Sequence, residues 1–375
     1  MSDLDLATLG VHADDELALL TDVAAPLHLT STFHHDPRMI PAREHNILLS
    51  GPGKHIYSRF GNPVIDRVEA VLSSILGGHV VVYGSGLSAF TGAMLYYSPA
   101  RVAIDGGYHG CHNVLGVLNR VSGQSFKIID HYSTELDKDD VFHVETPINP
   151  TGEAIDLAKA AEFAHSRGAH VVVDATFGPP PVQDPFAFGA DLVLHSATKY
   201  FGGHSDLLAG LLVTKDSSVR DKLLADRGLL GLQPGNLEAW LLLRSLRTYK
   251  IRLEAQCRGA LEIVQFLAKG LSDGSLPTLD KVYHSSLQTD SFVATQMPNG
   301  LYNPTFSIEV KSAEVARALP PKLKLFHHAT SLGGVESLIE WRAMTDPHVS
   351  ETLLRISVGV EDPKDLIHDL QQALS

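Results

Sequence analysis

Two cysteines in 375 residues, Cys111 and Cys257, leave no disulfide framework and no thiolate set for a structural zinc ion. That usage fits a reducing compartment. No apolar run reaches the roughly 18 residues that a membrane-spanning helix needs. Basic residues are the scarcer charge: 30 Lys+Arg against 43 Asp+Glu give a formal net charge of −13. A broad cationic surface for nucleic-acid backbones or anionic lipid is therefore excluded. The stretch from Met1 to Leu20 carries acids in place of the basic and apolar regions of a secretory signal. The expectation is a cytoplasmic chain with neither nucleic acid nor membrane as a partner. What is present, 44% hydrophobic and 19% charged composition, is the make-up of a globular chain long enough for more than one domain.

Residues 1–50 read as an extended arm, because the stretch from Thr30 to Pro37 and the run around Pro41 break any period. Arms of this kind wrap partner subunits. From Pro63 to Leu76, Val64, Ile65, Val68, Val71, Leu72 and Ile75 recur at helical spacing, and Gly77-Gly78 supplies the stop. A β-branched run at 79–83 then predicts a strand, Gly84-Ser85-Gly86 a tight turn, and a helix opens near Leu87. Strand signals recur at 101–104, 141–145, 169–174, 190–195 and 208–213, with a helix over 157–166. This alternation predicts a mainly parallel sheet covered on both faces. The segment 238–269 reads as one long connecting helix. Beyond it, 305–310 and 354–359 alternate like half-buried antiparallel strands, and 363–374 closes as a helix. The boundaries expected are 1–50 for the arm, 51–235 for a cofactor-binding domain, and 236–375 for the connector helix and a smaller α+β domain.

Ligands of α/β sheets sit beyond the carboxyl ends of the strands, so the polar residues there are the ones to collect. Gly84-Ser85-Gly86-Leu87 opens a helix whose free N–H groups and dipole favour an anion such as phosphate. Alone it reads equally as a structural turn. Gly84-x-Gly86-x-x-Ala89, with Asp105 beyond the next strand, also satisfies a dinucleotide pattern. Asp174 ends the run Val171-Val172-Val173, where a carboxylate needs a cationic partner to stay ionised. No Lys or Arg lies nearby in sequence, but a protonated ring nitrogen of a bound cofactor would serve. Lys199 follows the strand Leu192-Val193-Leu194 and the hydroxyls Ser196 and Thr198; desolvated there, it can form a Schiff base, whereas a surface lysine would merely snorkel.

An acid for a pyridinium nitrogen, a lysine for a Schiff base and a helix N-terminus for phosphate are the three requirements of pyridoxal 5′-phosphate. Ser196 and Thr198 would add hydroxyl donors to that phosphate. A dinucleotide enzyme needs neither Asp174 nor Lys199 in these places. Ser196-x-x-Lys199 formally matches the penicillin-recognising serine motif, but no Lys-Thr-Gly accompanies it. His109-Gly110-Cys111-His112 offers three metal ligands without a fourth at suitable spacing, so no metal is expected.

Tyr57-Ser58-Arg59-Phe60-Gly61-Asn62-Pro63, Gly84-Ser85-Gly86-Leu87, Asp105-Gly106-Gly107-Tyr108, Glu145-Thr146-Pro147-Ile148-Asn149-Pro150, Val173-Asp174-Ala175-Thr176-Phe177, Ser196-Ala197-Thr198-Lys199-Tyr200 and Gly203-His204-Ser205-Asp206 resemble, in order, the motifs of the Cys/Met-metabolism pyridoxal-phosphate family. Ser331-Leu332-Gly333-Gly334 and Arg355-Ile356-Ser357-Val358-Gly359 carry the resemblance to the C-terminus. Within the family, Gly107-Tyr108-His109-Gly110-Cys111-His112 and Phe177-Gly178-Pro179-Pro180-Pro181 resemble the cystathionine γ-synthase and γ-lyase branch, and its fungal γ-synthase-like members most.

The resemblance implies the fold type I architecture of pyridoxal-phosphate transferases, a large mainly parallel-sheet α/β domain with a smaller C-terminal α+β domain. It implies that Lys199 holds the cofactor and moves the α-proton, that Asp174 pairs with the pyridinium, and that Tyr108 stacks on the ring. Gly86, Leu87, Thr176, Ser196 and Thr198 would complete the cofactor site. Asn149 would bond both cofactor and substrate, and Arg355 would hold the substrate carboxylate as a fork beside Ser331 and Thr330. An arginine inside the apolar strand 353–358 needs an anionic partner in any case. Tyr57 and Arg59 would reach the phosphate of a neighbouring subunit, so that sites are shared across a dimer within a homotetramer.

The reaction implied is γ-replacement on an O-acyl-L-homoserine through a vinylglycine-type intermediate, forming a C–S or C–C bond in primary or secondary amino-acid metabolism. A γ- or β-lyase acting on a sulfur amino acid is the alternative, and a non-catalytic binding protein is the alternative of another class. Lys199, Asp174 and Arg355 together argue against the last. The sequence departs from the family's pattern at Thr330, where many γ-active members carry Glu, and at Trp341-Arg342, where His-Pro is usual. A substrate pocket of altered character is therefore expected.

Overall fold

The computed structural model describes residues 4–18, 20–35, 55–122 and 126–375. In chain order the large domain contains α1 (Leu6–His12), α2 (Pro63–Leu76), β1 (His79–Tyr83), α3 (Gly86–Tyr97), β2 (Arg101–Ala103), α4 (His109–Ser122), β3 (Lys127–Ile129), β4 (Val141–Glu145), α5 (Leu157–His165), β5 (His170–Asp174), β6 (Leu192–Ser196), β7 (Gly210–Thr214), α6 (Ser217–Leu230), α7 (Asn236–Leu246) and the start of α8 (Tyr249–Asp273). Helix α2 begins where its residues dictate. The Asn62 side chain accepts from the amides of Val64 and Ile65, Pro63 takes the first turn, and Gly77 ends the helix at a φ of +62°.

Among the described residues the large sheet has seven strands, ordered β1-β7-β6-β5-β4-β2-β3. Strands β2 to β6 pair in parallel, and β7 alone runs against its neighbours β1 and β6. The near-continuous apolar strands are buried, as expected of a sheet covered by helices. The carboxyl ends of β4, β5 and β6 therefore lie side by side.

Two readings need correction and one gap is filled. The first fifty residues are not uniformly an arm: Asp5 caps α1, Leu9 is buried, and Asp14 is fully buried against Arg67 and Arg247. These ion pairs tie the N-terminal segment to α2 and to the residue after α7. Residues 25–30 then run along α7, where Trp240 Nε1 donates to the Ala25 carbonyl and Asn236 Nδ2 to that of His28; the stretch around Pro41 lies outside the described residues. The expected helix 238–269 is two helices, broken at Arg247 and Thr248, where Arg247 turns aside to meet Asp14. Neither Gly nor Pro marks that break. Finally, 109–122 and 217–230, unassigned above, are helices.

The small domain holds β8 (Leu279–Tyr283), β9 (Thr305–Val310), β10 (His327–His328), β11 (Leu338–Trp341), β12 (Leu353–Ser357) and a closing helix, Pro363–Leu374. Its sheet runs β10-β11-β12-β9-β8. One face, with Phe306, Ile308, Leu354 and Ile356, packs on the second half of α8 and the closing helix. Helix α8 crosses between cores: Leu253 and Cys257 belong to the large domain's, Ala260 to Leu267 to the small domain's. The alternation in β9 and β12 does not mark a solvated face. Thr305, Ser307 and Arg355 are buried too, bonded to Tyr200, Pro150 and Asn149 of the large domain. Among the described residues no helix is long and apolar enough to cross a membrane.

Candidate active site

A cavity of about 590 Å³ opens between the carboxyl ends of the parallel strands and the polar face of the small sheet. Lys199, Asp174, Tyr108, Asn149, Ser331, Thr330 and Arg355 all line it, as do Gly86, Leu87, Thr176, Ser196 and Thr198. Tyr57 and Arg59 do not. Arg59 Nη1 donates to the Gly228 carbonyl at 2.7 Å and its guanidinium lies 4.5 Å from the Phe60 ring centroid, while Tyr57 is exposed.

The turn after β1 ends in a reciprocal cap: Ser85 Oγ accepts from the Ser88 amide and Ser88 Oγ from the Ser85 amide. The first-turn amides of Gly86 and Leu87 have no intrahelical acceptor by position and line the cavity. Any side chain at Gly86 would press on Ser196, whose Cβ stands 3.1 Å from the place a Gly86 Cβ would take.

Asp174 ends β5 opposite Glu145, its register partner at the end of β4. Asp174 Oδ1 accepts from the Thr176 amide at 3.0 Å and from its hydroxyl at 2.6 Å. Thr176 Oγ1 in turn accepts from the Ser196 amide, so this residue braces Asp174 between two strand ends. Burial pushes the Asp174 carboxyl up to about 6, against the pull of the Thr176 bonds. No described Lys or Arg forms an ion pair with it, which is the condition in which a pyridinium nitrogen is the fitting partner. Glu145, unassigned from sequence, accepts from the Tyr108 amide at 2.6 Å and the Asn149 amide at 2.8 Å. Burial, then the neighbouring Asp174, pushes it up to about 8. Its position at a strand end was the available signal.

Thr198, read from sequence as a donor to phosphate, lines the cavity; here its hydroxyl donates to the Ala209 carbonyl at 3.3 Å and accepts from that residue's amide at 3.1 Å. Among the described residues Ser196 Oγ keeps no such partner. Tyr108 owes its position to glycine: a Cβ on Gly110 would lie 2.4 Å from the ring, and one on Gly107, at φ +71°, 2.6 Å from Glu145.

Lys199 Nζ donates to Ser331 Oγ at 2.7 Å. Burial, reinforced by the charge of Arg355, lowers the amine to about 8, with Glu340 pulling the other way. Arg355 donates through Nη1 to Asn149 Oδ1 at 3.0 Å, and through Nη2 to the Ser331 carbonyl at 3.0 Å and Glu340 Oε2 at 2.6 Å. Ser331 thus touches both the amine and the guanidinium. Glu340 also accepts from Arg342 at 3.0 Å and from Thr345 at 2.6 Å, and Arg342 reaches Asp346 at 3.4 Å. Glu340, Arg342 and Thr345 line the cavity. Sequence reading marked the departure at Trp341-Arg342 but not this network, because the contact that ties it to the site, Glu340 with Arg355, forms only across the β11–β12 pairing.

The donor set fits pyridoxal 5′-phosphate: unpaired first-turn amides, an acid without a cation, and a neutralisable amine on one cavity wall. Comparison with known proteins agrees. A family model described as Cys/Met metabolism PLP-dependent enzyme matches residues 7–375. Cystathionine γ-synthase of Escherichia coli (strain K12) is 36% identical over 96% of this chain and 95% of its own. L-methionine γ-lyase of Fusobacterium nucleatum subsp. polymorphum is 31% identical over 98% of both chains. Among solved structures, a cystathionine γ-synthase from Xanthomonas oryzae pv. oryzae, in complex with aminoacrylate and cysteine, superposes at a TM-score of 0.85 with 30% identity, covering 99% of this chain and 98% of that one.

Proposed function

Since the chain belongs to the Cys/Met metabolism PLP-dependent enzymes, we propose that it catalyses γ-replacement on an O-acyl-L-homoserine, joining Cγ to a sulfur or carbon nucleophile. One observation carries the reading: the Lys199 amine and the Arg355 fork meet at Ser331. That arrangement suits an α-amino acid whose carboxylate lies on Arg355 and whose Cα lies within reach of the amine. Pyridoxal 5′-phosphate, when bound, supplies the electron sink for charge formed at Cα.

The residues would divide the work as follows. Asp174 holds the proton of the ring nitrogen, and Tyr108 packs against the ring. Lys199, its basicity lowered by burial, takes the Cα proton as a general base. Arg355, Asn149, Ser331 and Thr330 orient the carboxylate. Replacement in preference to elimination is supported by the likeness to the Escherichia coli synthase; the likeness to L-methionine γ-lyase supports elimination from a sulfur amino acid as the second reading. A cytoplasmic homotetramer, with Tyr57 and Arg59 completing the neighbouring subunit's phosphate site, belongs to the same proposal.

Mass spectrometry of products from O-acetyl- and O-succinyl-L-homoserine, with and without cysteine, tests the reading. Cystathionine formed only with cysteine is the expected result. A 2-oxo acid and ammonia formed at the same rate either way would overturn replacement in favour of the lyase.

A further inference from the structure

His109 follows Tyr108, opens α4 and lines the same cavity as Lys199, yet no step above employs it. Among the described residues its buried Nδ1 has no hydrogen-bond partner, and the acid beside it is Asp346, with Oδ2 at 3.9 Å. Asp346 is itself held in place. Its Oδ1 accepts from the His348 amide at 3.0 Å and its Oδ2 from Arg342 Nη2 at 3.4 Å. The gap to His109 exceeds a hydrogen bond, but acid–base pairs in the absence of substrate are commonly this loose and close when the reactants bind.

Arg342 is the other unused charge on this wall, and a second carboxylate site there is the competing idea. Charge balance disfavours it: Arg342 and Arg355 already face Glu340 and Asp346, two cations against two acids. Arg342, met by both of these acids, therefore offers nothing to an anion beyond the substrate carboxylate on Arg355. The wall does have a base.

γ-Replacement requires one. Lys199 is engaged with protons of the amino-acid substrate, and the nucleophile arrives carrying a proton of its own. We propose that His109, oriented by Asp346, is the general base that takes this proton, a proposal that rests on the replacement reading above. With Nδ1–H turned to Asp346, Nε2 is the nitrogen left for the reactant. The X–H bond of a thiol, or of a carbon acid flanked by carbonyl groups, breaks; the proton passes to Nε2, and the electron pair stays on X to form the new bond to Cγ, while the Cβ=Cγ π bond left when the acyloxy group departed as a carboxylate opens and its pair moves towards Cα. Asp346 is a positioning residue.

The test uses the holoenzyme and two readouts. Exchange of the Cα proton with deuterated solvent, without nucleophile, reports on Lys199; formation of the coupled product reports on His109. In His109→Ala and His109→Gln coupling should fall about a hundredfold or more while exchange persists, and the released 2-oxo acid should rise in its place. Added imidazole should restore part of the coupling in His109→Ala and not stimulate the wild type. Asp346→Asn should lower coupling by about tenfold. Coupling that falls only in step with exchange, that is unchanged without His109, or that imidazole fails to rescue, would overturn the role of His109. If the wild type itself exchanges the Cα proton but couples nothing, the replacement reading falls and this inference with it; wild-type coupling that is insensitive to position 109 overturns the inference alone.

Discussion

Arg355 and Glu340 face each other across the β11–β12 pairing, and the arginine Nη2 donates to the glutamate Oε2 at 2.6 Å. The same oxygen accepts from Arg342, so one buried carboxylate serves two buried guanidinium groups. Replacing it by a neutral group leaves those cations near each other with too little compensation. Glu340→Gln is expected to cost about 3–5 kcal/mol of stability, the range for breaking a buried pair. Urea unfolding of the cofactor-free protein measures it. An unchanged midpoint would mean that the network's charge is not needed for the fold.

Lys199 is lowered to about 8 from an ordinary 10.5, by burial first and by Arg355 second. Its folded-state value lies below its unfolded one. Between these two values the unfolded chain keeps the proton that the folded chain has lost, so Lys199 makes the cofactor-free protein more stable as pH rises through that window. Reaction of the amine with an aldehyde, trapped by borohydride, should rise with a midpoint near 8 and map to Lys199. Labelling of another lysine, or a midpoint near 10.5, contradicts the assignment.

Asp174→Asn can keep the hydrogen bonds from Thr176, because an amide oxygen accepts as the carboxylate does. The fold and part of the cofactor binding should survive. A neutral amide cannot hold the pyridinium charge, so kcat is expected to fall about a hundredfold, equivalent to roughly 2.7 kcal/mol of barrier. Steady-state kinetics beside an absorbance spectrum separates loss of turnover from loss of cofactor; near-wild-type kcat would remove Asp174 from the mechanism.

Tyr57 and Arg59 lie outside the cavity of their own chain, which suits the proposal that they serve the neighbouring one. Arg59→Ala should weaken cofactor binding, and mixing it with Lys199→Ala should restore activity, since each hybrid dimer then holds one intact site. Placing both changes on one chain and mixing that chain with wild type should instead lower activity. Neither effect, once native mass spectrometry has shown subunit exchange, would exclude a shared site.

Much of this protein is legible in local sequence. The strands at 79–83, 141–145 and 305–310 and the helices at 63–76 and 363–374 stand where period, caps and stops place them, because those signals act over one or two turns of chain. Asp174 and Lys199 are legible for a related reason: a charged residue closing an apolar strand is costly unless it has a partner or a task. Other features were decided only when distant segments met. Nothing local marks the break at Arg247, which is drawn aside by Asp14 from the N-terminal segment. The alternation of β9 and β12 reads as one solvated face, yet that face is buried against the large domain, where Arg355 reaches Asn149. Glu145 beside Asp174, Glu340 opposite Arg355 and His109 near Asp346 are meetings between strands and between domains. Periodicity records which side of a strand is apolar; what the other side faces depends on which surface the folded chain brings to it.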